Sequence, residues 1–148
     1  MPKHLLLIAC ACAAIATAVT PLASASTGSV IRLTLPGTKS AYVDLGPKGY
    51  SAGDYFVSTG RLLDAETGKP VGRLGGVWTI LSRQADHAVF DLGLPRGTIF
   101  VAGRIVHAAP KSTLSLTGGT GRYRGSRGTV VFRYLSQTTA RLELHLRT

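Results

Sequence analysis

From Ser26 onward the apolar residues of this chain recur at every second position, and no stretch sustains the wider spacing of a helical stripe. A period of two sends successive side chains to opposite faces of an extended backbone, so the chain is limited to strands and turns. Ile31, Leu33 and Leu35 alternate with Arg32 and Thr34, and Leu142, Leu144 and Leu146 alternate with Arg141, Glu143, His145 and Arg147. Ile99, Val101 and Ile105 stand opposite Phe100, Ala102, Arg104 and Val106. The same reading predicts strands over Asp54–Leu63, Val71–Ser82, His87–Leu92, Ser112–Thr117 and Thr129–Leu135. Turn chemistry separates them at Pro36-Gly37, Gly46-Pro47, Thr67-Gly68-Lys69-Pro70 and Pro95-Arg96-Gly97.

Roughly eight short strands in one domain suggest an all-β sandwich or a closed antiparallel barrel, and closure removes exposed sheet edges. Several strands, notably Gly97–His107, carry bulky apolar groups on both faces. A filled barrel whose outer face is partly covered by neighbouring subunits accounts for that pattern.

The first residues follow a different logic. Lys3 is followed by an apolar run from Leu5 to Val19 and then by Leu22-Ala23-Ser24-Ala25-Ser26. A cationic end, an apolar core and an A-x-A-like site are the three parts of an export signal, so cleavage is expected between Ala25 and Ser26 and the domain over 26–148 is expected to be secreted. The run is shorter than the roughly 20 apolar residues that span a bilayer, and no basic stop follows it. Leu7-Ile8-Ala9-Cys10 has the form of a lipoprotein processing site, but the apolar run continues well past Cys10.

Both cysteines, Cys10 and Cys12, leave with the signal, so the mature domain holds itself together without disulfides. The formal charge of the chain is +10, and only Lys3 among its Lys and Arg residues departs with the leader. Such a charge favours anionic partners, which outside a cell include surface polymers. No run of consecutive basic residues and no nucleic-acid motif is present, so no nucleic-acid partner is expected.

One segment is compositionally unusual. Thr117 to Gly128 packs five of its glycines, three arginines and a tyrosine between two strand-like runs. It is neither a Walker loop, which needs Lys before Ser or Thr and then a helix, nor a dinucleotide fingerprint, since Gly119, Gly121 and Gly125 have the wrong spacing and a strand follows. The stretch Leu114-Ser115-Leu116-Thr117-Gly118-Gly119-Thr120-Gly121-Arg122-Tyr123-Arg124-Gly125-Ser126-Arg127-Gly128 resembles the glycine-rich signature shared by dirigent proteins and allene oxide cyclases. The resemblance extends to Gly53-Asp54, Thr59-Gly60-Arg61-Leu62, Val71-Gly72 through Ile80, Gly97 to Gly103 and Ala140 to Leu146. It implies an eight-stranded antiparallel β-barrel of the allene oxide cyclase/dirigent type, assembled as a homotrimer around apolar pockets. It also implies a small apolar or phenolic ligand confined in the barrel; with the net charge, the reading is a secreted barrel that binds such a ligand or an anionic cell-surface polymer, with cyclase- or dirigent-like isomerase activity as the alternative. Both families use an acid from the first barrel strand, whereas Val30-Ile31-Arg32-Leu33-Thr34-Leu35 contains none.

The candidate ligand-binding residues are accordingly Asp54, Tyr55, Trp78, Arg104, Tyr123, Arg124 and Arg127. Arg104, Arg124 and Arg127 are the candidate polar groups, because a guanidinium beside a pocket binds a carboxylate or a developing negative charge. Trp78 and Tyr55 are the candidate walls, with Phe56 and Tyr123. Asp54 is an acid or base if it reaches the interior and a turn-capping residue if it does not. His87, His107 and His145 fall on separate strands without metal-ligand spacing, so neither metal nor cofactor is expected. No G-x-S-x-G elbow occurs, and a mature thiol nucleophile is absent.

Overall fold

The computed structural model describes residues 28–147; the expected leader, with Cys10 and Cys12, lies outside them. Nine strands follow one another as β1 (Ser29–Leu35), β2 (Thr38–Val43), β3 (Tyr55–Asp64), β4 (Pro70–Ser82), β5 (Ala85–Leu94), β6 (Gly97–Val106), β7 (Ser112–Gly119), β8 (Arg127–Tyr134) and β9 (Ala140–Arg147). From β3 to β9 each strand pairs antiparallel with the next. The barrel closes through β1, which pairs with β9 from Ser29↔Leu146 to Leu35↔Ala140 and with β3 at Leu33↔Asp64 and Thr34↔Leu63. Eight strands therefore form the closed antiparallel barrel, and β2 is an addition to it.

The sequence reading missed β2. Its residues, Thr-Lys-Ser-Ala-Tyr-Val, have no apolar alternation because none of them enters the core. After the break at Pro36-Gly37 the strand runs along the remaining half of β3, from Thr38↔Gly60 to Val43↔Tyr55. Its other edge is unpaired, and Lys39 and the polar Thr38 and Ser40 suit an exposed edge.

Alternation decides what is inside. Leu33, Leu62, Leu74, Leu92, Ile99, Val101, Leu114, Val130, Leu142 and Leu144 are almost wholly buried and belong to one continuous core. Each such side chain contributes about 1.5–3 kcal/mol relative to exposure, which is how the described residues, with no cysteine among them, hold a closed barrel. These side chains fill the middle of the barrel.

The up-and-down path divides the loops between those ends. The β2–β3, β4–β5, β6–β7 and β8–β9 connections lie at one end, here the aromatic end; the β3–β4, β5–β6 and β7–β8 connections lie at the other, here the arginine end.

Candidate functional site

A cavity of about 430 Å³ opens at the aromatic end between β2 and the β8–β9 turn. Its apolar walls are Leu35, Phe56, Trp78 and Phe132, with Tyr134 and residues 137–140 at the rim. Trp78 sits across from Phe56 on β3 and from the small Ala88 on β5. Its indole lies parallel to the Phe90 ring, with centroids 5.7 Å apart and planes 7° apart. Phe132 meets Tyr134 edge-on at 5.0 Å. Phe56 also joins Tyr42 and Tyr50 in a second aromatic group with centroid separations of 5.2 to 6.0 Å. The volume falls within the roughly 300–1,000 Å³ of small-molecule sites, and aromatic walls with few polar groups are their usual composition.

The lining includes no Lys or Arg and one acid, Asp86. This residue lies on β5 in phase with Ala88, Phe90 and Leu92, which turns it inward. Its Oδ2 is 2.9 Å from His107 Nε2, and His107 Nδ1 is 3.3 Å from the Arg83 carbonyl. A carbonyl only accepts, so Nδ1 donates to it. The 2.9 Å bond joins the Asp86 carboxyl to the imidazole through Nε2 and orients both side chains. The other carboxylate oxygen, Asp86 Oδ1, is buried with no hydrogen-bond partner, the one side-chain atom in that condition among the described residues. A buried polar atom without a partner costs about 1–3 kcal/mol, more when charged, and is relieved by a donor. Tyr50 and Tyr134 face the same charge: burial first, and then the Asp86 carboxylate, push both phenols above their ordinary value. They stay neutral donors at physiological pH.

Asp86 and His107 escaped the sequence reading, which began the strand at His87 and weighed His107 as a metal ligand only. The signal was present in the alternation: an acid two residues before Ala88-x-Phe90-x-Leu92 occupies an interior position.

Of the seven candidates, Trp78 alone lines this cavity. Asp54 is fully buried but faces the β2–β3 loop: its Oδ1 accepts from the amides of Leu45 (2.8 Å) and Gly46 (3.3 Å), and its Oδ2 from the Ser51 amide (2.7 Å), the Ser51 hydroxyl (2.9 Å) and the Tyr42 hydroxyl (2.7 Å). The Tyr42 bond, followed by the loop amides, holds its carboxyl well below the usual range despite burial. Asp54 is thus the turn-organising acid and not an interior base. Tyr55 is displaced by parity: Phe56, Ser58 and Leu62 turn inward on β3, and Tyr55 turns outward. Arg104 is likewise exposed on the outer face of β6, opposite in phase to Ile105. Arg124 and Arg127 are exposed at the arginine end, where Arg127 Nη1 donates to the Ser126 carbonyl at 3.3 Å. No cluster of three metal-ligating side chains occurs among the described residues.

Tyr123 lines a second cavity, of about 460 Å³, at the arginine end. Ile31 and Leu146 contribute apolar surface, and Arg96, Arg122, Ser29 and Ser126 the polar groups. The glycine-rich segment builds this place. Its β7–β8 loop locks onto the β5–β6 turn through Arg122 N–H to Arg96 C=O (2.9 Å), Thr120 N–H to Thr98 C=O (2.8 Å) and Thr98 N–H to Thr120 Oγ1 (3.0 Å). Gly97 and Gly121 have φ of +141° and +56°, and a Cβ on either would strike the backbone of the other loop. The lock needs both glycines.

Comparison with known proteins agrees with this geometry. No curated protein matches the chain. Among solved structures, a pyocyanin demethylase is 25% identical, with a TM-score of 0.68 over 80% of this chain and 99% of that one. The Diels Alderase AbmU from Streptomyces koyangensis is 23% identical, with a TM-score of 0.65, and the match covers 81% of this chain and 63% of that one. A pterocarpan synthase dirigent protein is 19% identical, with a TM-score of 0.63 over 82% of this chain and 92% of its own. Residues 34–145 match the family described as allene oxide cyclase barrel like domain, and the chain belongs to that family.

Proposed function

We propose that the mature domain is secreted and binds a small planar aromatic molecule, phenolic or otherwise able to donate a hydrogen bond, in the aromatic-end cavity. The observation that carries this reading is the partnerless Asp86 Oδ1 beside a cavity walled by Trp78, Phe56 and Phe132. The ring of such a ligand stacks on aromatic faces, and its donor supplies the bond that Oδ1 lacks. His107 holds Oδ2 and so fixes the carboxylate plane. The relative that is 25% identical is named for acting on pyocyanin, a small organic molecule, which supports this class of ligand.

A second reading, isomerase or cyclase chemistry, is favoured by the hydrogen bond between Asp86 and His107 at the cavity wall. The carboxylate would take a proton from one ligand atom and return it to another, with no net change in redox state and no cofactor.

The assembly is a homotrimer in this proposal. Val57, Val77, Val89 and Ala102 are register neighbours across β3 to β6 and form an apolar row on the outer face, where the three valines are exposed. A second copy covers such a row at little cost.

Native mass spectrometry of the mature chain, Ser26 to Thr148, isolated gently from a secreting culture, tests all three parts. A trimer beginning at Ser26 and carrying an aromatic adduct is expected. A species without adduct that also fails to bind added phenols overturns the ligand assignment.

A further inference from the structure

We propose that the arginine-end cavity is a second binding site, specific for an oxyanion group, phosphate or carboxylate, and independent of the aromatic cavity. Arg96 and Arg122 are brought together by backbone bonds between their own loops, Arg122 N–H to Arg96 C=O at 2.9 Å, and not by any acid between them. Both line the cavity with Tyr123 and Ser126, and no Asp or Glu does. Neither arginine forms an ion pair among the described residues; the pairs that exist involve Arg32, His107 and His145. Both arginines are exposed, so their guanidinium groups are open to an anion from solvent. A guanidinium fork matches the planar or tetrahedral oxygens of carboxylate and phosphate.

The remaining lining fits an oxyanion. Ser126 is only 1% exposed and lines the cavity. Tyr123, which also lines it, adds a second hydroxyl. Both are donors available to an anion. Ile31 and Leu146 offer apolar surface to whatever the anionic group is attached to. The anionic polymer expected from net charge would be read here, through its phosphate or carboxylate groups, rather than over the whole surface.

The test is calorimetric titration of the mature protein with inorganic phosphate and, separately, with glucuronate, at two salt concentrations. Saturable binding of one probe or both, one per chain, is expected; whichever binds tighter identifies the group. The double variant Arg96→Gln with Arg122→Gln should weaken it about tenfold or more. Arg133→Gln with Arg141→Gln removes the same charge from the facing pair on β8 and β9 and should leave it nearly unchanged. Equal losses in the two double variants would reduce the effect to net charge and overturn the site, as would the absence of saturable binding by either probe. Should the Gln pair fail to fold, Arg96→Lys with Arg122→Lys keeps the charge and loses the forked geometry; it should bind more weakly than the native protein, and unchanged affinity contradicts the proposal.

Discussion

The two ends of the barrel share one core and carry opposite chemistry. At the aromatic end a cavity walled by Trp78, Phe56 and Phe132 has one charged lining residue, the acid Asp86. At the arginine end a cavity of similar size is lined by two arginines and no acid. A net charge of +10 therefore describes one mouth of this protein and misdescribes the other. The difference also separates two ways of building a site. The aromatic end is made from strand residues whose inward parity is enforced by the core, and the arginine end from loops whose positions are enforced by glycines.

The largest expected effect belongs to the end built from the core. Trp78→Ala removes a nearly buried indole stacked on Phe90 and should cost about 3–5 kcal/mol in urea unfolding. A cost no greater than that of Tyr123→Ala would erase the contrast in construction. Next is Gly121→Ala, which places a side chain at φ +56° against the Arg96 carbonyl and should cost roughly 1–3 kcal/mol. It should abolish phosphate or glucuronate binding and spare phenol binding; loss of both would show the ends to be coupled.

Asp86→Asn sharpens the comparison from the other side. The amide cannot carry the buried charge, so phenol affinity should fall about tenfold while stability holds or rises by about 1 kcal/mol. The last effect is read against pH and concerns Asp54. Its folded-state carboxyl is held below the ordinary value of about 4, so between the two values the unfolded chain binds the extra proton. Stability from this group is complete above the unfolded value and is lost as pH falls below about 4. Unfolding followed against pH should lose that acid-side slope in Asp54→Asn, and the aromatic-end loop should loosen first.

Much of the barrel was legible in the sequence because closure and alternation are the same constraint. Eight strands that each turn an alternating apolar face to one core leave little choice of fold, and the segment Leu114 to Gly128 marked the family. β2 was illegible for the converse reason: an unburied edge strand needs no alternation. The site was harder. Trp78 lines the cavity, as a large aromatic at an interior position is apt to do, whereas Tyr55 and Arg104 face outward by one residue of parity. Arg124 was read as a pocket arginine but is not in the lining, which holds its neighbour but one, Arg122, and the distant Arg96. Their proximity depends on a loop-to-loop hydrogen bond that no local pattern records. Asp86 and His107, 21 positions apart, meet only through the β5–β6 register.

The central claim is that the aromatic end binds a hydrogen-bond-donating aromatic molecule through Asp86, and Trp78 reports on it directly because it is the chain's single tryptophan. Trp78 emission should be followed while a neutral nitrophenol and, in parallel, its methyl ether are titrated into the mature protein. The account predicts saturable quenching by the phenol, about tenfold weaker quenching by the ether, and loss of that preference in Asp86→Asn. Equal quenching by phenol and ether in the native protein, or no saturation with either, would contradict it.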